Sequence, residues 1–274
     1  MSMRNKQQVA KQFSRAANSY DKAASVQHYA LQQLLVGLPS KPERPALSGH
    51  WLDIGCGTGA AFAPLRALGV TTLTGIDLAE GMLSVAKQKQ LADALLLADA
   101  DALPLDDNSI DGVFSNLMLQ WSETPLATLQ EWRRVLKTDG QLAFTTLLPG
   151  TQQELKDAWW AVDQGTHVNE FTAADTLLTS LEQAGFAVHQ QMTECWVDDY
   201  DDLAQLLRGL KQIGATNVNS GRRSGLGGRR QLQQLAAHYP TRYRDGKAVL
   251  PVSYQILTVH ATAKACVATT EARS

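Results

Sequence analysis

The sequence predicts an α/β fold in which a mostly parallel sheet of seven strands carries helices on both faces. Short apolar runs typical of buried strands alternate with amphipathic helical runs between residues 50 and 147. A glycine-rich turn, Gly55-Cys-Gly-Thr-Gly59, links the first of these strands to a helix. After residue 150 the alternation changes, and the last two strand-like runs predict the antiparallel edge that such sheets often carry.

The periodicity of apolar residues places the individual elements in chain order. The five parallel strands are expected at residues 51–54, 72–77, 94–98, 110–115 and 140–147. The helices between them are expected at residues 60–68, 80–90 and 123–137. Beyond residue 150 we expect helices at 151–165, 173–184 and 200–210, and strands at 186–197 and 252–263.

The chain is expected to form one core with two additions. Residues 1–45 repeat apolar side chains at helical spacing and are predicted to be an N-terminal helical lid with its linker. These helices either pack on the edge of the sheet or close over a ligand through Tyr20. Residues 46–197 are predicted to form the ligand-binding α/β core, residues 198–250 a helical insertion that binds the substrate, and residues 251–274 the last strand and a tail.

Composition and charge argue against several classes of function. The 274 residues carry a formal net charge of −2, which gives no global basis for binding nucleic acid. No apolar run reaches the length of a transmembrane helix, so we expect no association with a membrane. The three cysteines, Cys56, Cys195 and Cys266, lack metal-ligand spacing, so we expect no metal site and a reducing, cytoplasmic location.

The glycine turn predicts a nucleotide-like ligand, because glycine lets a backbone approach a ligand and the next helix offers unpaired N–H groups. With Ala60 in the sixth position the run also satisfies the dinucleotide fingerprint, so a nicotinamide oxidoreductase is an alternative. Asp53 argues against it, because a carboxylate there would repel a pyrophosphate and attract an amino-acid ammonium group. Asp77 ends the second strand at the spacing of an acid that binds ribose hydroxyls.

This Asp-x-Gly-x-Gly-x-Gly pattern with its downstream acid resembles the S-adenosylmethionine (SAM) site of class I methyltransferases. The resemblance implies a Rossmann-like class I methyltransferase fold, SAM as the cofactor and S-adenosylhomocysteine as its product. Other strand ends also fit such a site, since Asp99 would accept a hydrogen bond from the adenine amino group while Leu78 and Met82 cover the ring. The predicted cofactor-binding residues are Tyr20, Asp53, Gly55, Cys56, Gly57, Thr58, Gly59, Asp77, Leu78, Met82, Asp99, Ala100, Asn116, Leu117 and Trp121.

The chain from Asn5 to about Ala263 resembles the malonyl-acyl-carrier-protein O-methyltransferases of biotin synthesis. The motifs that carry this resemblance include Phe13-x-Arg-Ala-Ala-x-x-Tyr20, Asn116-Leu-x-x-Gln120-Trp121, His167-x-Asn169-x-Phe171 and Leu210-Lys211-x-Ile-Gly-Ala-Thr-Asn217. The resemblance implies an enzyme that methylates the free carboxylate of a malonyl thioester carried on acyl carrier protein. It implies neither a catalytic triad nor a metal ion.

Such a reaction requires orientation more than acid–base catalysis, because a carboxylate is already ionised at pH 7. The candidate catalytic residues are Lys211 and Arg222, whose positive charges would orient the carboxylate. The residues expected to bind the acidic carrier protein are Arg208, Arg223, Arg229 and Arg230. The basic, glycine-rich segment at residues 220–230 also fits a solvated loop. The remaining alternatives are another SAM-dependent small-molecule methyltransferase, acting for example on a quinone precursor, and a SAM-binding regulator without catalysis.

Overall fold

The computed structural model describes residues 6–38, 47–213 and 228–265. The helices within these ranges are α1 (Lys6–Ala23), α2 (Ser25–Val36), α3 (Phe62–Ala67), α4 (Glu80–Gln88), α5 (Pro125–Val135), α6 (Gln153–Asp163), α7 (Ala174–Gln183), α8 (Leu203–Gln212) and α9 (Arg229–His238). The strands are β1 (His50–Ile54), β2 (Thr72–Asp77), β3 (Ala94–Leu97), β4 (Ile110–Asn116), β5 (Leu136–Leu147), β6 (Phe186–Tyr200), β7 (Arg242–Arg244) and β8 (Lys247–Ala263). A short 3₁₀ helix, Leu119–Trp121, follows β4.

A single sheet crosses the molecule with the strand order β3-β2-β1-β4-β5-β8-β6. Strands β1 to β5 pair in parallel, whereas β8 pairs antiparallel with both β5 and β6. This order confirms the predicted seven-stranded, mostly parallel sheet with an antiparallel edge. The chain proceeds outward in opposite directions from β1, and in such sheets the ligand crevice lies outside the carboxyl ends of the strands at this point.

Successive residues of β1 point to opposite faces of the sheet and fill two separate apolar cores. Leu52 and Ile54 belong to the core that includes the buried side chains of α5 and α7. Trp51 lies in the core on the other face, with the leucines of α2 and Phe62 of α3. Because both faces are covered, β1 is buried from Trp51 to Ile54.

The antiparallel edge extends beyond the parallel strands and supports the helices near the C-terminus. Strands β6 and β8 remain paired from Phe186↔Ala263 to Tyr200↔Leu250. The connection between them contains α8, α9 and the short β7, which pairs with β8. The turn joining β7 to β8 has positive φ at Asp245 and Gly246, the conformation that an Asp-Gly pair favours in a two-residue hairpin. This hairpin escaped prediction, although the Asp-Gly pair is its usual sequence signal.

The observed bounds of β5, β6 and β8 are wider than the apolar patterns indicate. Strand β5 begins at Leu136 instead of residue 140, β6 continues to Tyr200, and β8 begins at Lys247. The extra residues include exposed polar ones and buried apolar ones such as Leu136 and Val249, and those of β6 and β8 pair with a neighbouring strand.

The two N-terminal helices have different positions. Helix α2 packs against the sheet, where Leu31 and Leu34 are buried in the same core as Trp51. Helix α1 packs against α4 and α8, and Ala17 on α1 meets Met82 on α4. The N-terminal segment therefore packs on the sheet through one helix and covers the strand ends with the other. None of the described helices is long and apolar enough to cross a membrane.

Candidate functional site

The glycine loop after β1 adopts a backbone that only glycine accepts easily. Gly55, Gly57 and Gly59 have φ values of +72°, +52° and +78°. A Cβ on Gly55 would lie 2.4 Å from the side chain of Met118, so the loop also needs the missing side chain for space. The N–H groups of Gly55 and Cys56 donate to the carbonyl oxygen of Ile76 at 2.8 and 2.9 Å, which anchors the loop to the end of β2.

Asp77 at the end of β2 holds the loop in place through its carboxylate, which also lines the crevice. One oxygen accepts the N–H of Gly57 at 2.8 Å, and the other accepts the N–H of Ala79 at 2.8 Å. Burial raises the pKa of Asp77, and these backbone hydrogen bonds oppose that effect. Each carboxylate oxygen accepts more than one hydrogen bond, so Asp77 can still bind two hydroxyl groups of a ribose.

Asp53 is an acid buried without a compensating cation. Its side chain lies on β1 at 2% exposure, and the ion pairs among the described residues do not include it. Burial, with a smaller contribution from the charge of Asp77, raises the pKa of Asp53 to about 8. A carboxyl group in this state favours a cationic ligand, because the ligand would supply the positive charge that the protein lacks there.

A cavity at the carboxyl ends of the strands, the main cavity, contains most of the predicted cofactor-binding residues. Its walls enclose about 860 Å³ including the open mouth. The predicted residues that line it are Tyr20, Gly55, Gly57, Asp77, Leu78, Met82, Asp99, Ala100, Asn116, Leu117 and Trp121. Side chains from β1, β2, β4 and α1 thus converge on one space.

Three of the other predicted residues, Asp53, Cys56 and Thr58, line a smaller cavity beside the glycine loop, the loop cavity. Thr58 donates a hydrogen bond to Asp21 at 2.5 Å and so ties the loop to α1. Burial raises the pKa of the Cys56 thiol, so this residue is a protonated packing group. Gly59 lines neither cavity, and its positive φ serves the turn itself.

Helix α1 closes the main cavity from above. Phe13 packs edge-on against Trp121, with ring centroids 5.2 Å apart, and lies 6.2 Å from the ring of Tyr20. The N–H of Gly81 donates to Ser14 at 3.2 Å, which fastens the same helix to α4. Helix α1 therefore covers the main cavity and α2 packs on the sheet, while closure of this segment over a ligand stays a prediction.

Two charged residues of the main cavity were not among the predicted set. The Nζ atom of Lys6 on α1 lies 2.9 and 2.6 Å from the two carboxylate oxygens of Asp99 and 2.6 Å from Asp101. A sequence signal for Lys6 exists, because Lys6, Val9 and Phe13 follow helical spacing and share one face of α1. These contacts make the first turn of the lid part of the site.

A further cavity, the lateral cavity, adjoins the main cavity through Phe13, Tyr20, Leu117 and Trp121. Its remaining walls are apolar side chains and four side-chain amides, and none of its described lining residues carries a charge. The amides are Gln27, Gln120, Gln152 and Asn169. Among the described residues, Tyr20 alone borders the main, loop and lateral cavities together.

The basic residues predicted to act on the substrate lie elsewhere or outside the described residues. Lys211 is exposed on the last turn of α8 and lines none of the three cavities, although Ile213 does line the lateral cavity. Arg208, Arg229 and Arg230 are exposed on α8 and α9. Arg222 and Arg223 fall outside the described residues. Within those residues, no group of three or more metal-binding side chains is placed to hold a metal ion.

Together, these groups suit a ligand with a nucleoside and an ammonium group. Asp77 can accept hydrogen bonds from ribose hydroxyls, and the apolar side chains of Leu78 and Met82 offer a surface for a flat ring. Asp53 is a buried acid that a cationic group of the ligand would pair with. A pyrophosphate would instead lie beside the buried acids Asp53 and Asp77, which have no ion-pair partner among the described residues. The site chemistry therefore fits SAM better than a nicotinamide dinucleotide.

Comparison with known proteins agrees with the geometry. Residues 52–144 match the family model described as "Methyltransferase domain". A malonyl-acyl-carrier-protein O-methyltransferase from Laribacter hongkongensis is 39% identical over 269 residues, which cover 94% of this chain and 89% of the relative. The "Biotin biosynthesis bifunctional protein BioHC" of Saccharophagus degradans is 38% identical over 263 residues, covering 92% of this chain and 46% of that protein.

The fold agrees with solved structures as well. The YcgJ protein of Bacillus subtilis superposes with a TM-score of 0.61 at 17% identity, covering 87% of this chain and all of that chain. This likeness concerns the fold alone, whereas the curated relatives match almost the whole chain, including the lid and the helices that precede β8. The chain therefore belongs to the malonyl-acyl-carrier-protein O-methyltransferase family of SAM-dependent class I methyltransferases.

Proposed function

We propose that this protein transfers a methyl group from SAM to the free carboxylate of malonyl-acyl-carrier protein, the reaction that primes biotin synthesis. The observation that supports this acceptor most directly is the position of the family-specific motifs. Gln120, Trp121, Asn169 and Phe171 belong to the motifs shared with this family, and all four line the lateral cavity beside the proposed cofactor site. The residues that distinguish the family thus surround the space left for an acceptor.

The proposed cofactor arrangement follows the three cavities. Adenosine would occupy the main cavity, with its ribose on Asp77 and its adenine between Met82 and the strand end at Asp99. The amino-acid part would reach the loop cavity, where its ammonium group meets Asp53. The sulfonium would then lie near Tyr20, which borders all three cavities and offers an aromatic ring for a cation–π contact.

The protein's own part in the reaction is to position and to exclude water. SAM, when bound, supplies an activated methyl group on a positively charged sulfur. The acceptor carboxylate needs no general base, because it is ionised at neutral pH. Phe13, Trp121 and Tyr20 form a wall of aromatic side chains where the main and lateral cavities meet, which keeps water from the transfer path. The remaining contribution of the protein would be to hold the acceptor carboxylate against the methyl group that SAM would supply.

The acidic carrier protein is proposed to bind the exposed face of α8 and α9. Arg208, Arg229 and Arg230 are solvent-exposed there, and α8 also contributes buried side chains to the core behind the lateral cavity. Attraction between these arginines and acidic carrier helices would weaken as salt rises. The free thiols of Cys56 and Cys195 fit a reducing compartment, and we propose the cytoplasm.

The reaction is tested by incubating the protein with SAM and malonyl-acyl-carrier protein and recording the intact mass of the carrier. We expect the mass to rise by one methyl group, and we expect no change with acetyl-acyl-carrier protein, which lacks the free carboxylate. Methylation of both carriers would place the methyl group elsewhere and contradict the proposal. SAM binding without methylation of the malonyl carrier would leave the SAM site intact and show that the acceptor is a different molecule.

A further inference from the structure

We propose that the side-chain amides of Gln27 and Asn169, rather than a cation, bind the acceptor carboxylate in the lateral cavity. This inference rests on the proposed function and names the groups that recognise its substrate. It differs from the sequence-based expectation of a lysine or an arginine, since Lys211 lies outside the lateral cavity and faces solvent.

The first observation is that two buried polar atoms at this cavity have no hydrogen-bond partner. In the described part of the chain, only three buried side-chain polar atoms lack a hydrogen-bond partner. Two of them, Gln27 Oε1 and Asn169 Oδ1, belong to residues that line the lateral cavity. Buried polar groups are nearly always paired in native proteins, so two unpaired amide oxygens at one cavity mark a polar binding position.

The other two amides of the cavity are already engaged. Gln120 donates to the carbonyl oxygen of Leu117 at 2.5 Å and accepts from Thr146 at 3.3 Å. Gln152 bonds to the hydroxyl of Tyr254, which in turn bonds to Tyr200. Gln27 and Asn169 are therefore the two amides of this cavity that still have an unused hydrogen-bonding position for a ligand.

A carboxylate can bind both amides after a simple rotation. Turning a side-chain amide by half a turn exchanges its oxygen and nitrogen without changing its shape, and this places N–H donors where the unpaired oxygens now lie. Gln27 tolerates the exchange because its present partner, the hydroxyl of Tyr20, can either donate or accept. Both amides would then donate to the negatively charged group.

Neutral donors suit this reaction better than a cation. In the proposed arrangement the positive sulfonium would lie beside the acceptor, and a second buried positive charge nearby would repel it. Amide groups hold the carboxylate in place and leave the sulfonium as its counter-charge. The absence of charged side chains among the described residues that line the lateral cavity is consistent with this division of roles.

The unpaired oxygens have one competing explanation, which is that they accept hydrogen bonds from N–H groups of the carrier's thioester arm. Isosteric acids separate the two. In Asn169→Asp and Gln27→Glu, a new carboxylate would repel the substrate carboxylate but would accept an N–H group at least as well as the amide. The acid variants therefore lose activity under our proposal and keep it under the alternative.

The experiment measures kcat/KM for malonyl-acyl-carrier protein, and SAM binding by calorimetry, for the wild type, N169D, Q27E, N169L and the matched exposed variant Q191E. We expect N169D and N169L to lower kcat/KM by about 10- to 150-fold, the cost of hydrogen bonds to a charged group. SAM affinity of N169D should stay within roughly twofold, because Asn169 borders only the lateral cavity. Q191E should match the wild type, since Gln191 is exposed on β6.

The pH profile provides a readout that a purely structural role would not change. In N169D the protonated acid can donate a hydrogen bond at low pH, but the ionised acid repels the substrate. At saturating SAM, the activity of N169D relative to the wild type should therefore fall as pH rises. An N169D enzyme with kcat/KM within about threefold of the wild type at all pH values would overturn the amide proposal. A wild type that binds SAM but leaves malonyl-acyl-carrier protein unmethylated would instead overturn the proposed function.

Discussion

Binding of SAM should release a proton from Asp53 at neutral and mildly acidic pH. The free protein holds Asp53 buried, without a cation among the described residues, and with a pKa of about 8. At about pH 6.5 the carboxyl group is therefore almost fully protonated. A cationic ammonium group placed in the loop cavity favours the ionised carboxylate, so the proton leaves as the cofactor binds.

The magnitude follows from two pKa values. Below about pH 7.7 the amino group of free SAM is protonated as an ordinary α-amino group, so binding releases close to one proton and affinity rises roughly tenfold per pH unit. Above about pH 8 both free groups have lost their protons, and formation of the charged pair takes one up. SAM affinity should therefore pass through a maximum near pH 8.

Titration calorimetry in two buffers of different ionisation enthalpy measures this proton directly. We expect release of about one proton per SAM in the wild type at about pH 6.5. Asp53→Asn should abolish the release, flatten the acidic side of the affinity profile and weaken binding. Glu182→Gln, a change of an exposed acid at the end of α7, should behave as the wild type does.

Wild-type binding without proton release would refute the reasoning, because Asp53 would then be ionised already or remote from the ammonium group. An unchanged proton release in D53N would have a different meaning. Another group would be the source of the proton, and Asp53 would have no direct part in cofactor binding.

Four further outcomes follow from the structure. First, D53N should raise the thermal stability of the SAM-free protein at pH 7, because a pKa raised in the folded state means that stability declines as pH rises from about 4 to about 8. Second, Lys6→Met should speed SAM dissociation about two- to fivefold, since a half-exposed ion pair that closes the lid contributes modestly. Third, Tyr20→Phe should keep kcat/KM within about threefold, whereas Tyr20→Ala should lower it by at least roughly tenfold through loss of the ring. Fourth, Gly112→Ala should destabilise the fold by about 1–3 kcal/mol in urea unfolding, because its Cβ would lie 2.3 Å from the ring of buried Trp51.

Each of these outcomes has a control or a contradicting result. For the lid, Lys137→Met removes an exposed ion pair to Asp111 away from the cavities and should leave the dissociation rate unchanged. Equal stability of D53N and the wild type at pH 7 would show that Asp53 is not held against ionisation. Loss of activity in Y20F as severe as in Y20A would assign the function to the hydroxyl group. Unchanged urea midpoints for G112A would mean that Trp51 can move aside.

The sequence contains the fold class and the framework of the cofactor site because both depend on local pattern. Apolar periodicity fixes which face of each strand is buried, and the positive φ values of the loop require glycine at Gly55 and Gly57. Parallel strands place their carboxyl ends together, so Asp53 and Asp77 could be expected at one crevice from spacing alone. Eleven of the predicted cofactor-binding residues do line the main cavity.

Only the tertiary structure shows which residues α1 contacts and which residues line the lateral cavity. The lateral cavity joins Gln27, Asn169, Ile213 and Tyr254, which are distant in sequence and meet only when α1, α2 and the helices after β6 pack together. Neither hydrophobic periodicity nor residue spacing predicts that these distant residues share a cavity. A neutral amide also does not stand out in a sequence as a candidate ligand-binding group, whereas a charged residue does. Charge therefore drew attention to Lys211, whereas the lateral cavity proposed for the acceptor is lined by neutral groups, because packing decides which side chains share a cavity.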